Sequence, residues 1–583
     1  MSIPDPARYG SLLDILDDAA ARHGDRPLMS QRGDEGTAHS WSALELRHRA
    51  RLVAWRLRAL GIQPGDRLLT WSPPGPEMPA VYFGAMMAGV PVVPIDLRMT
   101  PEVVERICHS AEAAWLAVGT GRDAPEPREA GLEHLPARTM AWLTAEPAHE
   151  NAAGTDEGGL DPTFPPDWEA QVAAWPRPTR DDLFEIVYTS GTTGQPKGVM
   201  LDHGNILATL EATSKLIPPW EHRIVSLLPL SHLFGQLELL YVLLLGANVL
   251  YLRSRNPRVI FESLRNQRVT TMVVVPQVLE LFWQAITREV EKQGQLAFFE
   301  RLRRIARRLP YWARRLLFRR LHDQLGGQLR LFVSAAAFLP PALQQAWEDV
   351  GVIVMQGYGA TECGFASATS VDDHPVGSVG RPAPPTQLRL SEEGEIQIGG
   401  PTVFAGYWRD PQATAAALAA DGWYRTGDVG RFDERGNLVL SGRIKNIIVL
   451  PNGLNVFPED IENALKMAGL GETVVIETAP GRIEAVVLPP GQAVMPRGDG
   501  SLPEGRERTA EESAELRRTI DAAVKTANAS LSMHQKVAAW RLWPGGDFPR
   551  THTLKVKRDQ VRAWAAADAP LPVRSGSGEV GGG

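Results

Sequence analysis

Short apolar strands alternate with helices early in the chain, and that alternation limits the fold more than any other feature of the sequence. Residues Asp66–Trp71 and Val90–Ile95 read as buried strands with a helix over Glu77–Gly89 between them. Helices over residues 11–23 and from Trp41 to Leu60 precede them, the first carrying Leu12, Leu13, Ile15, Leu16 and Ala19 at amphipathic spacing. A strand, a helix and a second strand in this order bury their apolar faces by laying the strands parallel with the helix across them. The expected class is α/β, with a large N-terminal domain of doubly wound, largely parallel sheets.

Directly behind another apolar strand, Asp182–Tyr188, stands Tyr188-Thr-Ser-Gly-Thr-Thr-Gly-Gln-Pro-Lys-Gly198. Gly191, Gly194 and Gly198 let backbone N–H groups approach an anion closely. Thr189, Ser190, Thr192 and Thr193 add hydroxyl donors, and Lys197 adds a positive charge. A loop at the carboxyl end of such a strand is where open α/β sheets place ligands. Lys197 is followed by Gly198, so this is not the usual P-loop ending. A surface loop rich in Ser, Thr and Gly would have the same composition, although its length and order favour the phosphate reading.

Residues 121–180 carry scattered Pro, Gly and acidic residues and read as irregular surface structure. The strand Ile224–Leu228 leads into Pro229-Leu-Ser-His-Leu-Phe-Gly-Gln236, where His232 is either a satisfied core histidine or a ligand-side group. Residues 301–320 hold nine arginines and no acidic residue, with Leu302, Ile305, Ala306, Leu309, Trp312, Leu316 and Leu317 at helical spacing around Pro310. Such a run is a solvated basic face or an interfacial helix facing anionic headgroups. The strand Leu329–Ser334 ends at Ala335 and Ala336, and Gly351–Glu362 reads as a strand running into a glycine turn. From Gly394 to Gly430 short strands and turns suggest a small β subdomain. Strands joined through Ser441–Arg443 follow, then a helix from Phe457. A small α+β domain, interrupted by a polar segment at 489–509, runs toward Phe548–Arg558, where Lys557 and Arg558 read as surface cations. The tail from Ser575 reads as a flexible end. The boundaries expected are 1–442 for the large domain, 443–570 for the small mobile one and 571–583 for the tail.

A net charge of −7 gives no reason to expect a nucleic-acid partner. Cys108 and Cys363 are too few and too far apart for a disulfide framework. The first ten residues lack a secretory layout, and the most apolar run, Leu237–Leu252, is broken by Glu238 and Gly246-Ala-Asn248. A cytoplasmic protein is expected, and, if the basic segment is an interfacial helix, one in peripheral contact with the inner membrane face.

With its motifs in this order, nearly the whole chain resembles the adenylate-forming enzymes: acyl-CoA synthetases, nonribosomal adenylation domains and beetle-type luciferases. The segment Pro451–Val456 is most similar to long-chain fatty acyl-CoA synthetases. The resemblance implies a ligase that joins a fatty acid to AMP from Mg·ATP and then to coenzyme A. By the same resemblance Glu362 and Thr189 hold the metal, Tyr358 stacks on adenine, and Gln356, Gly357, Gly359 and Thr361 line the adenylate. Ser190, Gly191, Thr192, Thr193, Gly194 and Lys197 hold phosphates, Asp428 takes the ribose hydroxyls, and Arg443 reaches ribose or phosphate. Lys445 is the hinge and Lys555 the catalytic lysine. His232, Phe234, Ala335 and Ala336 border the acyl pocket, with His232 and Thr361 counted among the catalytic groups. Glycine commonly occupies the positions of Ala335 and Ala336. Three other activities share this pattern: transfer to a carrier-protein phosphopantetheine, a luciferase-type oxidation, and binding of acyl-AMP without catalysis.

Overall fold

The computed structural model describes residues 3–32, 38–121, 123–147, 162–190, 196–254, 256–452, 454–489, 509–550 and 556–567. The chain divides into two compact units. The first comprises residues 1–389, 397–426 and 432–439, and the second 390–396, 427–431 and 440–583. The division falls inside the strand Leu438–Arg443, so Ser441–Arg443 continue that strand and do not join two.

Two large sheets build the first unit. One has nine strands in the order Arg381–Pro382, Gly364–Ala368, Ile353–Ala360, Leu331–Ser334, Thr271–Val274, Arg223–Ser226, Asn248–Tyr251, Pro27–Arg32 and Ala38–Ser42. Its centre is parallel, and antiparallel pairs close both edges. The other has six, Ala137–Thr139, Ala113–Val118, Arg67–Trp71, Val92–Ile95, Leu183–Ser190 and Pro196–Asp202, again parallel except for its last pair. The α/β class and the largely parallel winding match the sequence reading.

Local chemistry sets the element ends. Ser42 accepts from the Glu45 amide and starts the helix Ala43–Ala59, while Ser40 and Trp41 pair with the neighbouring strand. The helix expected over Trp41 to Leu60 therefore begins two residues later, and it ends at Ala59. The described residues among 121–180 are less irregular than their composition suggests: Ala137–Thr139 forms the edge strand of the six-stranded sheet, and short helices span Met140–Thr144 and Trp168–Ala173.

The helix Leu233–Leu245 is fastened to both sheets. Gln236 Nε2 donates to Glu185 Oε1 at 2.6 Å on the six-stranded side, and the Ser226 hydroxyl donates to Glu238 on the nine-stranded side. Both carboxyls are buried, and burial pushes each up to about 8 despite those hydrogen bonds. The residue that breaks the apolar run in sequence, Glu238, is thus a neutral core acid at moderate pH.

The basic segment forms helices Leu296–Ala306, Tyr311–Leu317 and Arg319–Gln324. Four of its nine arginines bond to a buried carboxylate or to backbone carbonyls. Arg303 and Arg307 pair with buried Asp349, while Arg314 and Arg315 donate to backbone carbonyls of Leu309, Glu348, Leu329 and Gly327. Ile305, Trp312 and Leu316 point outward with Phe298, and Trp312 is 68% exposed. Among the described residues no helix is long and apolar enough to cross a membrane.

The second unit carries a sheet of Thr473–Ala479, Arg482–Val487 and Ala539–Leu542. Ile461, Leu465 and Ile520, from the helices Pro458–Met467 and Ala510–Ser530, pack with Val475 and Ala485 on one face. Val561 of the helix Arg558–Ala567 packs with Val474 and Val486 on the other. Arg558 is not a freely solvated surface cation: it is half-buried and paired with the Glu462 carboxylate, while Lys557 stays exposed.

Candidate active site

The strand Leu183–Ser190 turns back on Pro196–Asp202, pairing Thr189 with Lys197 and Tyr188 with Gly198. The phosphate-loop segment therefore joins two antiparallel strands, where a parallel βα unit would continue into a helix. Residues 191–195 lie outside the described residues, so the geometry of Gly191, Thr192, Thr193 and Gly194 is not described, nor is the side chain of Ser190. Lys555 lies outside them as well.

A third segment locks onto this hairpin. The Trp408 amide donates to the Gly198 carbonyl at 2.7 Å and the Met200 amide to the Gly406 carbonyl at 3.1 Å. That pairing sets Tyr407 between two of the sequence-identified residues. Lys197 Nζ lies 5.0 Å from the Tyr407 ring centroid, and the Tyr407 hydroxyl donates to Glu362 Oε1 at 2.9 Å. Burial and then the adjacent Glu362 charge push the Tyr407 phenol well above its ordinary range, so it remains a donor.

Glu362 sits in the connection between the antiparallel strands Ile353–Ala360 and Gly364–Ala368, with its backbone carbonyl accepting from Phe404 at 2.9 Å. This turn admits no side chain at two positions. A Cβ on Gly359 would stand 1.8 Å from the Gly364 carbonyl oxygen, and Gly364 itself has φ +59° against Thr209. Tyr358 lies on the first strand opposite Ser367 and is almost fully buried. Gln356 turns into the core, where its amide nitrogen donates to Gln344 at 2.9 Å and the Ser378 carbonyl at 3.0 Å. Thr361 adjoins Glu362 in the same connection and is half-buried.

The residues expected to border the acyl pocket are His232, Phe234, Ala335 and Ala336. Phe234 packs edge-on against Phe365 at 5.8 Å, and Phe365 lies where a Cβ on Gly357 would fall 2.6 Å from its ring. His232 caps the helix that carries Phe234, and its carbonyl accepts from the Gln236 amide. Its Nε2 lies 2.6 Å from Asp96 Oδ2. Asp96 stands at the carboxyl end of the strand Val92–Ile95, is 2% exposed, and takes both Nε and Nη2 of Arg98 at 2.9 and 2.6 Å. Burial alone would raise its carboxyl, but hydrogen bonds from Arg98 and His232 hold it well below the usual carboxylate range. Ala335 is buried, whereas Ala336 is exposed and adopts φ +69°.

Asp428, Arg443 and Lys445 belong to the second unit. Arg443 Nε donates to Asp428 Oδ1 at 2.6 Å, and the Gly427 amide donates to Glu395 at 3.0 Å. Lys445 lies in the 3-10 turn Ile444–Asn446, where burial and then Arg443 lower its ammonium from the ordinary value.

Sequence reasoning missed Asp96, Arg98 and Tyr407. Asp96 could have been noticed as an acidic residue ending a buried parallel strand, the usual ligand side of such a sheet. Tyr407 carried only an aromatic signal between turn residues.

Among the described residues no three His, Cys, Asp or Glu side chains cluster to hold a metal. The carboxylate of Glu362, linked through Tyr407 to Lys197, whose strand partner is Thr189, suits an ion that takes one or two carboxylates and completes its shell with phosphate and water. The residues fit Mg²⁺ arriving with a nucleotide and do not fit a resident transition metal.

Residues 16–408 match the family model described as AMP-binding enzyme. Over 97% of this chain and 98% of its own length, Long-chain-fatty-acid--CoA ligase FadD15 of Mycobacterium bovis is 29% identical. The Long-chain-fatty-acid--CoA ligase of Salmonella typhimurium is 30% identical over 83% of this chain and 86% of its own. Among solved structures, o-succinylbenzoate CoA synthetase (MenE) of Bacillus subtilis, in complex with its acyl-adenylate intermediate, superposes with a TM-score of 0.69. It is 19% identical and covers 96% of this chain and 98% of its own. ATP-bound MatB of Rhodopseudomonas palustris gives a TM-score of 0.68 at 23% identity over 95% and 99%. The structural likenesses establish a shared fold.

Proposed function

Because the chain belongs to the AMP-binding enzyme family, we propose that it is an acid–thiol ligase that activates a medium- or long-chain fatty acid as acyl-AMP with ATP and passes the acyl group to coenzyme A. The observation that carries this reading is the Lys197–Tyr407–Glu362 contact. It joins a cation from the phosphate-loop hairpin to a carboxylate from the strand-end turn, as a triphosphate and its counter-ion require. The substrate class comes from the fatty-acid ligases that match nearly the full chain.

In the first step the fatty-acid carboxylate attacks the α-phosphate, forming acyl-AMP and expelling pyrophosphate. In the second the coenzyme A thiolate attacks the acyl carbon and AMP leaves. Such displacements depend on positioning and charge neutralisation. Lys197 binds the β- and γ-phosphates, and Tyr358 and Asp428 bind adenine and ribose. Glu362 and Thr189 would hold Mg²⁺, which would supply neutralisation of phosphate charge. Lys555 covers the carboxylate and α-phosphate during adenylation, and the small domain turns about Lys445 to admit the thiol.

We place the protein in the cytoplasm, in peripheral contact with an anionic bilayer. The support is the outward face of Phe298, Ile305, Trp312 and Leu316 beside exposed Arg301, Arg304, Arg308 and Arg320. Apolar rings between arginines suit the boundary of headgroups and acyl chains, where a water-insoluble substrate is collected.

The test is acid-dependent pyrophosphate release with Mg·ATP across C2–C18 fatty acids and aryl acids, with and without coenzyme A. Sustained turnover peaking at C12–C18 only with coenzyme A supports the proposal. A burst indifferent to coenzyme A points to a carrier-protein acceptor, and no release with any acid sinks the ligase reading. In the Lys555→Ala variant adenylation is lost while thiolysis of supplied acyl-AMP survives; joint loss would exclude the two-conformation mechanism.

A further inference from the structure

The contact between Asp96 and His232 spans 136 residues and joins the carboxyl end of one sheet's strand to the cap of the helix leading into the acyl side. Asp96 is buried and fully engaged. Arg98 donates twice from its guanidinium and once from its amide, which compensates the aspartate charge; Oδ2, shared with Arg98 Nη2, lies 2.6 Å from His232 Nε2, a closer contact than the 3.4 Å from Arg98 Nη2 to that same nitrogen. An ionised carboxylate only accepts, so the His232 Nε2 facing it carries a proton and donates. The tautomer, the ring plane and the ring's position are therefore fixed from one edge, while the His232 carbonyl fixes the backbone by accepting from Gln236. A buried ion pair with an extra donor is costly to assemble and is weak evidence for stability by itself. Here the pair has a direction: it points at a histidine two residues from Phe234, whose ring meets Phe365 over Gly357.

We infer that Asp96 is a positioning residue for the acid substrate: with Arg98 balancing its charge, it holds the His232 ring in one orientation against the carboxylate end of the acyl group. The same pairing bears on specificity. Arg98 is the cation beside this histidine, and Asp96 accepts from both its Nε and Nη2, so its charge is balanced by a buried carboxylate. An acid with a second carboxylate gains little from it, whereas an apolar chain meets no unpaired charge there. This inference rests on the proposed ligase activity, since it assigns His232 a place beside the acid that activity consumes.

The experiment is a double-mutant cycle on acid-dependent pyrophosphate release, with Asp96→Asn, His232→Phe and the two combined. Asparagine keeps the shape but loses the charge that fixes the donor. Asp96→Asn should lower kcat/KM for a C16 acid by about tenfold, with KM for ATP moving less than about twofold, as expected when a reacting group is misplaced but ATP binding is intact. On the His232→Phe background the same change should cost less than about twofold, because there is no ring left to position. Equal losses in both backgrounds, no loss in Asp96→Asn, or no loss in His232→Phe would each overturn the inference while leaving the ligase reading intact. A wild-type enzyme silent with every acid would overturn that reading and the inference with it. Should Asp96→Asn fail to fold, the charge-balanced Asp96→Asn/Arg98→Gln pair supports the same cycle, with the same outcomes deciding it.

Discussion

The Tyr407 hydroxyl donates to the Glu362 carboxylate at 2.9 Å, while the ring beneath it lies 5.0 Å from the Lys197 ammonium. One aromatic side chain thus sets the separation between a cation on a strand and an anion in a turn. Neither charge is left to find its position when a nucleotide arrives.

Replacing Tyr407 by Phe removes the donor and keeps the ring. A hydrogen bond to a charged group contributes about 1.5–3 kcal/mol, so adenylation should fall by about tenfold or more. Half-saturation by Mg²⁺ should rise, because the proposed metal ligand loses its orientation. Pyrophosphate release titrated with Mg²⁺ checks this, and an unchanged Mg²⁺ dependence would separate Tyr407 from the metal.

Glu362 was legible in the sequence because a buried strand, a glycine turn and a carboxylate lie within one short segment, and turn chemistry is local. Tyr407, Asp96 and Arg98 were not, since their meaning depends on partners brought close by the fold: Glu362 is 45 residues from Tyr407 and His232 is 136 from Asp96. The parallel sheets followed from alternating periodicity. The antiparallel return after Ser190 did not, because apolar period alone carries no strand direction. Arg558 shows the limit from the other side: a cation in a polar, basic stretch reads as solvated until Glu462 is seen beneath it.

Ala336 occupies φ +69°, a region that costs an alanine about 1–2 kcal/mol relative to its ordinary backbone. Glycine removes that cost but adds about 0.5–1 kcal/mol of unfolded-state entropy. Ala336→Gly should therefore stabilise by about 0.5 kcal/mol, seen as a higher urea midpoint at unchanged slope. Ala336→Val should lower it, since a β-branched residue is poorly suited to positive φ. If valine is tolerated as well as glycine, Ala336 does not hold this backbone angle in solution.

Membrane contact through the basic segment separates into an apolar and a charged part. Trp312→Ser combined with Phe298→Ser should lose binding to vesicles of mixed phosphatidylglycerol and phosphatidylcholine, while pyrophosphate release from a short, soluble acid stays within about twofold. Raising salt should weaken the wild type by screening Arg301, Arg304, Arg308 and Arg320. Co-sedimentation reads both effects. Equal binding to purely zwitterionic vesicles would contradict the role given to the arginines, and no binding to either would remove the membrane contact altogether.

The two neutral acids that fasten the helix Leu233–Leu245 make a pH prediction with a definite window. Glu185 and Glu238 are raised from 4.5 to about 8, so between those values the folded state holds protons that the unfolded chain has released. Stability from these groups is fully present below 4.5 and declines as pH rises toward 8, by up to about 1.4 kcal/mol per group per pH unit. Buried His203 and His322 are lowered from 6.5 to about 4, and they oppose this trend between those values because the unfolded chain then binds the extra protons. Above 6.5 the histidines no longer contribute and the acids stand alone, with Glu348, raised to about 7, adding to the same slope. The urea midpoint should therefore fall from pH 6.5 to pH 8. Glu185→Gln/Glu238→Gln should flatten the fall while preserving the contacts, because a glutamine oxygen can still accept from Gln236 and Ser226. A double variant that loses stability over this window as steeply as the wild type would show that both carboxyls are already ionised at pH 6.5.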